Sequence, residues 1–115
     1  MMSLAASWLL EAFVDCTTQI EGTKGIVKLN GRFTFEAGAA FKIYTNALLA
    51  DPKVGELLID FSNVNFMESS ALGVLLLLRE KAELKGVKVV LCQPTPTVQA
   101  TLDVVRFGKI FEIRA

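Results

Sequence analysis

The residues best placed to do chemistry lie in one run, Asp60-Phe61-Ser62-Asn63-Val64-Asn65-Phe66-Met67-Glu68-Ser69-Ser70-Ala71-Leu72-Gly73-Val74-Leu75. A carboxylate followed directly by two hydroxyls and then by an apolar run describes a helix N-terminus that carries a modifiable serine. Unpaired amides and the helix dipole at such a terminus favour negative charge, so a phosphate on a serine there meets donors already aimed at it. The same residues serve a plainer purpose, because serine is among the preferred N-cap residues, and local chemistry alone favours that purpose for Ser69 or Ser70. Asp60 stands at the end of a strand, where sites of α/β proteins gather, but a second carboxylate, a glycine-rich phosphate loop and a histidine are all missing beside it.

Histidine is absent from all 115 residues. That removes the commonest general base and the commonest metal ligand, and with them serine and cysteine triads and most zinc sites. No enzymatic activity, cofactor or metal is expected. The cysteines, Cys16 and Cys92, lie far apart without CxxC spacing, which fits reduced thiols packed as small hydrophobes in a cytoplasmic protein. Lys plus Arg is 12 and Asp plus Glu is 12, so a neutral chain has no electrostatic reason to bind nucleic acid. The stretch Leu4 to Val14 lacks a preceding Lys or Arg and is interrupted by Glu11, unlike a signal peptide. The aliphatic run Ala71 to Leu78 stops at Arg79-Glu80-Lys81, far short of the roughly 20 residues that span a membrane. No membrane association is expected.

The length and the 52% hydrophobic content call for one domain with one core, over residues 1–115. Residues 1–12 form a possible N-terminal extension, whose apolar cluster Trp8, Leu9 and Leu10, with Phe13, either covers the sheet or contacts a second copy in a homodimer. Phe13 to Ile20 and Ile26 to Leu29 flank the turn residues Glu21-Gly22-Thr23-Lys24-Gly25, which predicts a hairpin. A helix follows with Thr34 as its cap and Phe41, Tyr44 and Leu48 on one face, ending near Asp51-Pro52. Leu57 to Phe61, bounded by Gly55 and Ser62-Asn63, reads as a short central strand buried on both faces. Ser69-Ser70 opens a second helix that closes at Gly86. Val87 to Leu91 is the next strand, Thr95-Pro96 caps a third helix carrying Val98, Thr101, Leu102 and Val105, and Ile110 to Ile113 is the last strand. The order is ββαβαβαβ, an α/β fold with a mixed sheet and amphipathic helices packed on it. Leu58, Phe61, Leu72, Leu75, Val89, Leu91, Leu102 and Val105 are the expected core.

Phe66-Met67-Glu68-Ser69-Ser70-Ala71-Leu72-Gly73-Val74-Leu75 resembles the phosphorylation-site segment of the STAS family, the sulfate-transporter and anti-sigma-factor-antagonist domain. There an acidic residue precedes Ser-Ser or Ser-Thr, a small residue, Leu and Gly. The ββαβαβαβ order is similar to that family's from about Phe13 to Ile113. Gly31-Arg32-Phe33-Thr34-Phe35, taken with Ser69 to Glu80, most resembles a branch of antagonists in biofilm and motility control. The resemblance implies a phosphorylation-controlled binding module that holds an anti-sigma factor, or a related serine kinase or phosphatase regulator, until Ser69 is phosphorylated. Glu68, Ser69, Ser70 and Thr34 are then the partner-binding residues. The pattern departs from the family at Glu68 and at Thr34, where Asp is usual, which shifts the carboxylate by one methylene and alters the surface a partner meets. The alternative is a non-switching STAS subunit of a larger assembly, such as a stressosome-like scaffold or a lipid-transport complex. A nucleotide-binding domain ranks behind both, for want of a glycine-rich phosphate cradle.

Overall fold

The computed structural model describes residues 15–115. Trp8, Leu9, Leu10 and Phe13, and the extension expected over residues 1–12, lie outside the described residues. Strands β1 (Asp15–Glu21) and β2 (Lys24–Phe33) form an antiparallel hairpin around the two-residue loop Gly22-Thr23, where Gly22 takes φ 63 as tight hairpin turns require. Helix α1 (Gly38–Leu49), strand β3 (Glu56–Met67), helix α2 (Leu72–Leu84), strand β4 (Lys88–Cys92), helix α3 (Pro96–Val104) and strand β5 (Glu112–Arg114) complete the expected order. The sheet runs β1-β2-β3-β4-β5, with every pair after the hairpin parallel.

The helices pack on the face carried by Val27 and Leu29 of β2 and by Leu57, Ile59 and Phe61 of β3, all fully buried in one contiguous cluster. Along β3 those residues alternate with half-buried Leu58 and Asp60. The strand therefore follows the period-2 pattern of a sheet whose two faces differ, rather than the even burial that its apolar run suggests. In β3 the pairing also continues well past Phe61. Lys28 pairs with Asp60 but Asn30 with Asn63, and Gly31 pairs with Val64 but Arg32 with Phe66, so β3 carries an extra residue at each step. Such bulges break the alternation and bring Val64 and Met67 into the core, which is why the polar stretch from Ser62, expected to bound the strand, is in fact part of it. Asp60 belongs to this irregularity, since its Oδ1 accepts the Ser62 N–H at 2.8 Å. Asn63 Nδ2 donates to Asn30 Oδ1 across the pair at 2.9 Å. On the β2 side Gly31 sits at φ 96, a backbone conformation that suits glycine.

Helix ends correct several expectations. Thr34 does not cap α1: residues 34–37 form a turn, in which Ala37 N–H donates to Thr34 O at 3.1 Å and Gly38 N–H to Phe35 O at 3.0 Å. The helix begins only at Gly38, with no side-chain cap. Tyr44 is exposed, and Thr45 takes the inward place, satisfying its hydroxyl on Phe41 O at 3.0 Å. Ser70 does not cap α2 either, because a 3-10 turn over Ser69–Ala71 intervenes and no side chain caps it. At the other end of α2, Gly86 takes φ 69 and Val87 N–H returns to Ala82 O, the left-handed cap expected there. Thr95 caps α3 as expected, accepting Val98 N–H, with Pro96 at the first position. That helix stops at Val104, before the left-handed Arg106, so Val105 lies beyond it at 43% exposure and is not core. Leu58 is half-buried, whereas the other six expected core residues are buried.

Candidate functional site

Glu68 directly follows β3 in an extended conformation and is tied to β2 by its own N–H, which donates to Phe33 O at 3.0 Å. Its carbonyl accepts Ala71 N–H at 2.9 Å and so starts the 3-10 turn. Its carboxylate reaches sideways. Oε2 accepts the Phe35 N–H at 2.9 Å and the Ser70 hydroxyl at 2.8 Å. One oxygen thus joins the β2–α1 turn, 33 residues away in sequence, to the start of α2. The Phe35 amide is the largest influence holding the Glu68 carboxyl below the usual carboxylate range; the Ser70 hydroxyl acts the same way, desolvation opposes both, and the Arg32 charge adds the smallest lowering.

Ser69 is exposed, and its hydroxyl makes no hydrogen bond among the described residues, whereas the Ser70 hydroxyl is engaged by Glu68. The structure therefore brings together Glu68, Ser69 and Ser70 with the turn that begins at Thr34. The Thr34 Oγ1 is buried without a hydrogen-bond partner, so this side chain offers a partner little accessible polar surface. What that turn does present is Phe35, 64% exposed at the point where Glu68 holds its backbone. Beside it the Arg32 guanidinium lies 4.4 Å from the centre of the Phe66 ring, a cation–π contact between neighbouring strands. Phe35, Arg32 and Phe66 received no role from sequence reasoning. The signal for Phe35 is its place outside any apolar periodicity; the Arg32–Phe66 pair follows only from the bulged register of β2 on β3.

Gly38 fixes how closely the two loops approach. A Cβ there would lie 2.8 Å from Val74 Cγ2, so the first residue of α1 rests against the first turn of α2. Among the described residues no three His, Cys, Asp or Glu side chains cluster as metal ligands. Cys16 is buried, and burial raises the Cys92 thiol above its ordinary range.

The family model of the STAS domain matches residues 5–115 of the chain. The chain belongs to the STAS domain family. STAS-domain containing protein PA14_20770 of Pseudomonas aeruginosa (strain UCBPP-PA14) is 30% identical over 93 residues, covering 81% of this chain and 90% of that protein. Among solved structures, the anti-sigma factor antagonist SpoIIAA in its unphosphorylated form superposes with TM-score 0.75 at 19% identity, covering 88% of each chain. An anti-sigma factor antagonist from Mycobacterium paratuberculosis gives TM-score 0.73 at 22% identity, covering 88% of this chain and 85% of that one. At these identities the superpositions show the STAS fold, and the single α/β domain with its mixed sheet is the expected one. Among the described residues no helix is long and apolar enough to cross a membrane.

Proposed function

We propose that this STAS domain is a phosphorylation-controlled protein-binding module, an anti-sigma factor antagonist that acts in a bacterial partner-switching pathway, in the cytoplasm and without catalysis. Its partner is an anti-sigma factor or a related serine kinase or phosphatase regulator, held while Ser69 is unphosphorylated. The observation that carries this reading is the difference between the two serines: Ser69 offers a free, exposed hydroxyl, while Ser70 is occupied by Glu68.

The chemistry of the switch follows from that arrangement. A phosphate on Ser69 brings about −1.5 to −2 charge next to the Glu68 carboxylate. The amides at the start of the turn offset part of that charge, so the domain stays folded. A partner docked on Phe35 and the turn meets the remainder directly, and like-charge repulsion and desolvation disfavour its acidic or apolar surface. The same repulsion acts on Glu68, loosening the carboxylate that holds the Phe35 amide. Exposed aromatic side chains are frequent anchors of interfaces, and Phe35 is the one placed to report the state of Ser69.

The test is titration calorimetry against the regulator recovered by affinity capture, with circular dichroism as the folding control. Ser69→Ala should bind as the wild type does. Ser69→Asp, or the phosphorylated protein, should bind at least tenfold more weakly, a change of only about 1.4 kcal/mol. Equal affinities for the free and phosphorylated forms would refute the switch and leave a permanent STAS subunit of a larger assembly. Phosphate mapped by mass spectrometry to Ser70 and not Ser69 would move the site by one residue.

A further inference from the structure

A second surface lies along the seam where α1 meets α2, directed away from the serine turn. Its floor is apolar: Leu77 is 44% exposed and Leu84 is 89% exposed, on a helix that buries Leu72, Val74, Leu75 and Leu78 but also leaves Leu76 exposed. Leu49 and Asn46 of α1 face Leu84 across a depression of about 300 Å³. The rim is basic. Lys42 stands on the α1 side, and Lys81 and Lys85 on the α2 side. None of these lysines forms an ion pair among the described residues, and no carboxylate lines the depression. Of the nearby acids, Glu83 is turned toward Arg79, with which it pairs at 3.0 Å. Glu80 is exposed one residue from Lys81 and does not line the seam.

The geometry points to this seam as a docking groove for an acidic amphipathic helix of a partner protein, a site separate from the Ser69 surface and independent of the switch proposed above. From Val74 to Lys85 the seam runs about 16 Å at 1.5 Å per residue, the length of three helical turns. A partner helix with apolar residues at i, i+3, i+4 and i+7 would cover Leu77 and Leu84, and flanking Asp or Glu would pair with the three lysines. Charge complementarity selects this occupant over an anionic membrane. The chain as a whole is neutral, and polybasic membrane contacts use clusters of about 4 to 8 basic residues on a protruding surface. Here the bases rim a concavity.

The experiment uses the full chain and a fluorescein-labelled synthetic helix of roughly 16 residues with leucine at those spacings and glutamate on both flanks. A scrambled peptide of the same composition and vesicles containing phosphatidylserine serve as the other arms. Fluorescence anisotropy should give at least tenfold tighter binding for the patterned peptide than for the scramble, weakening as salt is raised. Amide chemical-shift changes should fall on α1 and α2 and leave Ser69 and Phe35 unmoved. Lys81→Glu with Lys85→Glu should lower affinity at least tenfold, and Leu84→Ser, at a site already exposed to water, should do so without loss of fold. Equal binding of the two peptides, unchanged affinity in the variants, shifts confined to the Ser69 turn, or a preference for vesicles would overturn the groove. Failure of the Ser69 variants to alter regulator binding would leave it standing.

Discussion

Gly38→Ala tests whether the close approach of α1 to α2 is what positions the serine turn. An added Cβ would sit 2.8 Å from Val74 Cγ2, against about 3.5 to 4.0 Å for an ordinary carbon contact. Val74 is 5% exposed, and a β-branched side chain on a helix has one strongly preferred rotamer, so it cannot turn aside. Overpacking of this kind costs about 1 to 3 kcal/mol. Replacing glycine in a helix works the other way by up to about 1 kcal/mol in the interior, and by less at the first position. The net expectation is a loss of about 1 to 2 kcal/mol, read as a lower urea midpoint with unchanged slope. The cause is one pair of groups, so Val74→Ala in the same chain should relieve part of the loss, and the double-mutant cycle should return a coupling of about 1 kcal/mol or more. Gly38 N–H donates to Phe35 O, so the substitution should also weaken regulator binding more than its effect on stability alone would. A neutral or stabilised Gly38→Ala, or two substitutions that simply add, would refute the reasoning.

Glu68 and Glu112 both have folded-state values below the ordinary 4.5, Glu68 chiefly through Phe35 and Glu112 chiefly through Lys88. A depressed carboxyl stabilises the fold above its unfolded value and loses that contribution as pH falls through its folded value, so stability should drop below about pH 4.5. Glu68→Gln should flatten part of that drop in urea midpoints taken from pH 7 down to pH 3, because a glutamine neither titrates nor carries the charge; an unchanged pH profile would remove Glu68 from the account. Leu75→Ala should cost about 2 to 5 kcal/mol, since Leu75 is fully buried where α2 meets the sheet. A loss below about 1 kcal/mol in denaturant unfolding would mean that this helix is not packed as described.

The element order was legible because apolar periodicity, glycine turns and Thr95-Pro96 are local signals, and the hairpin, the Gly86 cap and the third helix start follow from them directly. The Glu68-Ser69-Ser70 segment was legible too, as a pattern of residue types. What the sequence could not reveal is anything that depends on two segments meeting. Thr34 and Ser70 both look like helix caps, a role set by neighbours along the chain. In the fold the Glu68 carboxylate reaches across 33 residues to the Phe35 amide and takes up Ser70 as well, leaving Ser69 as the free hydroxyl. The length of β3 was hidden for the same reason, since its two extra residues make sense only against the register of β2. Local preference decides which elements form; the bulges, the Gly38–Val74 approach and the reach of one carboxylate decide which of two exposed serines keeps a free hydroxyl, and those are properties of packing between elements distant in sequence.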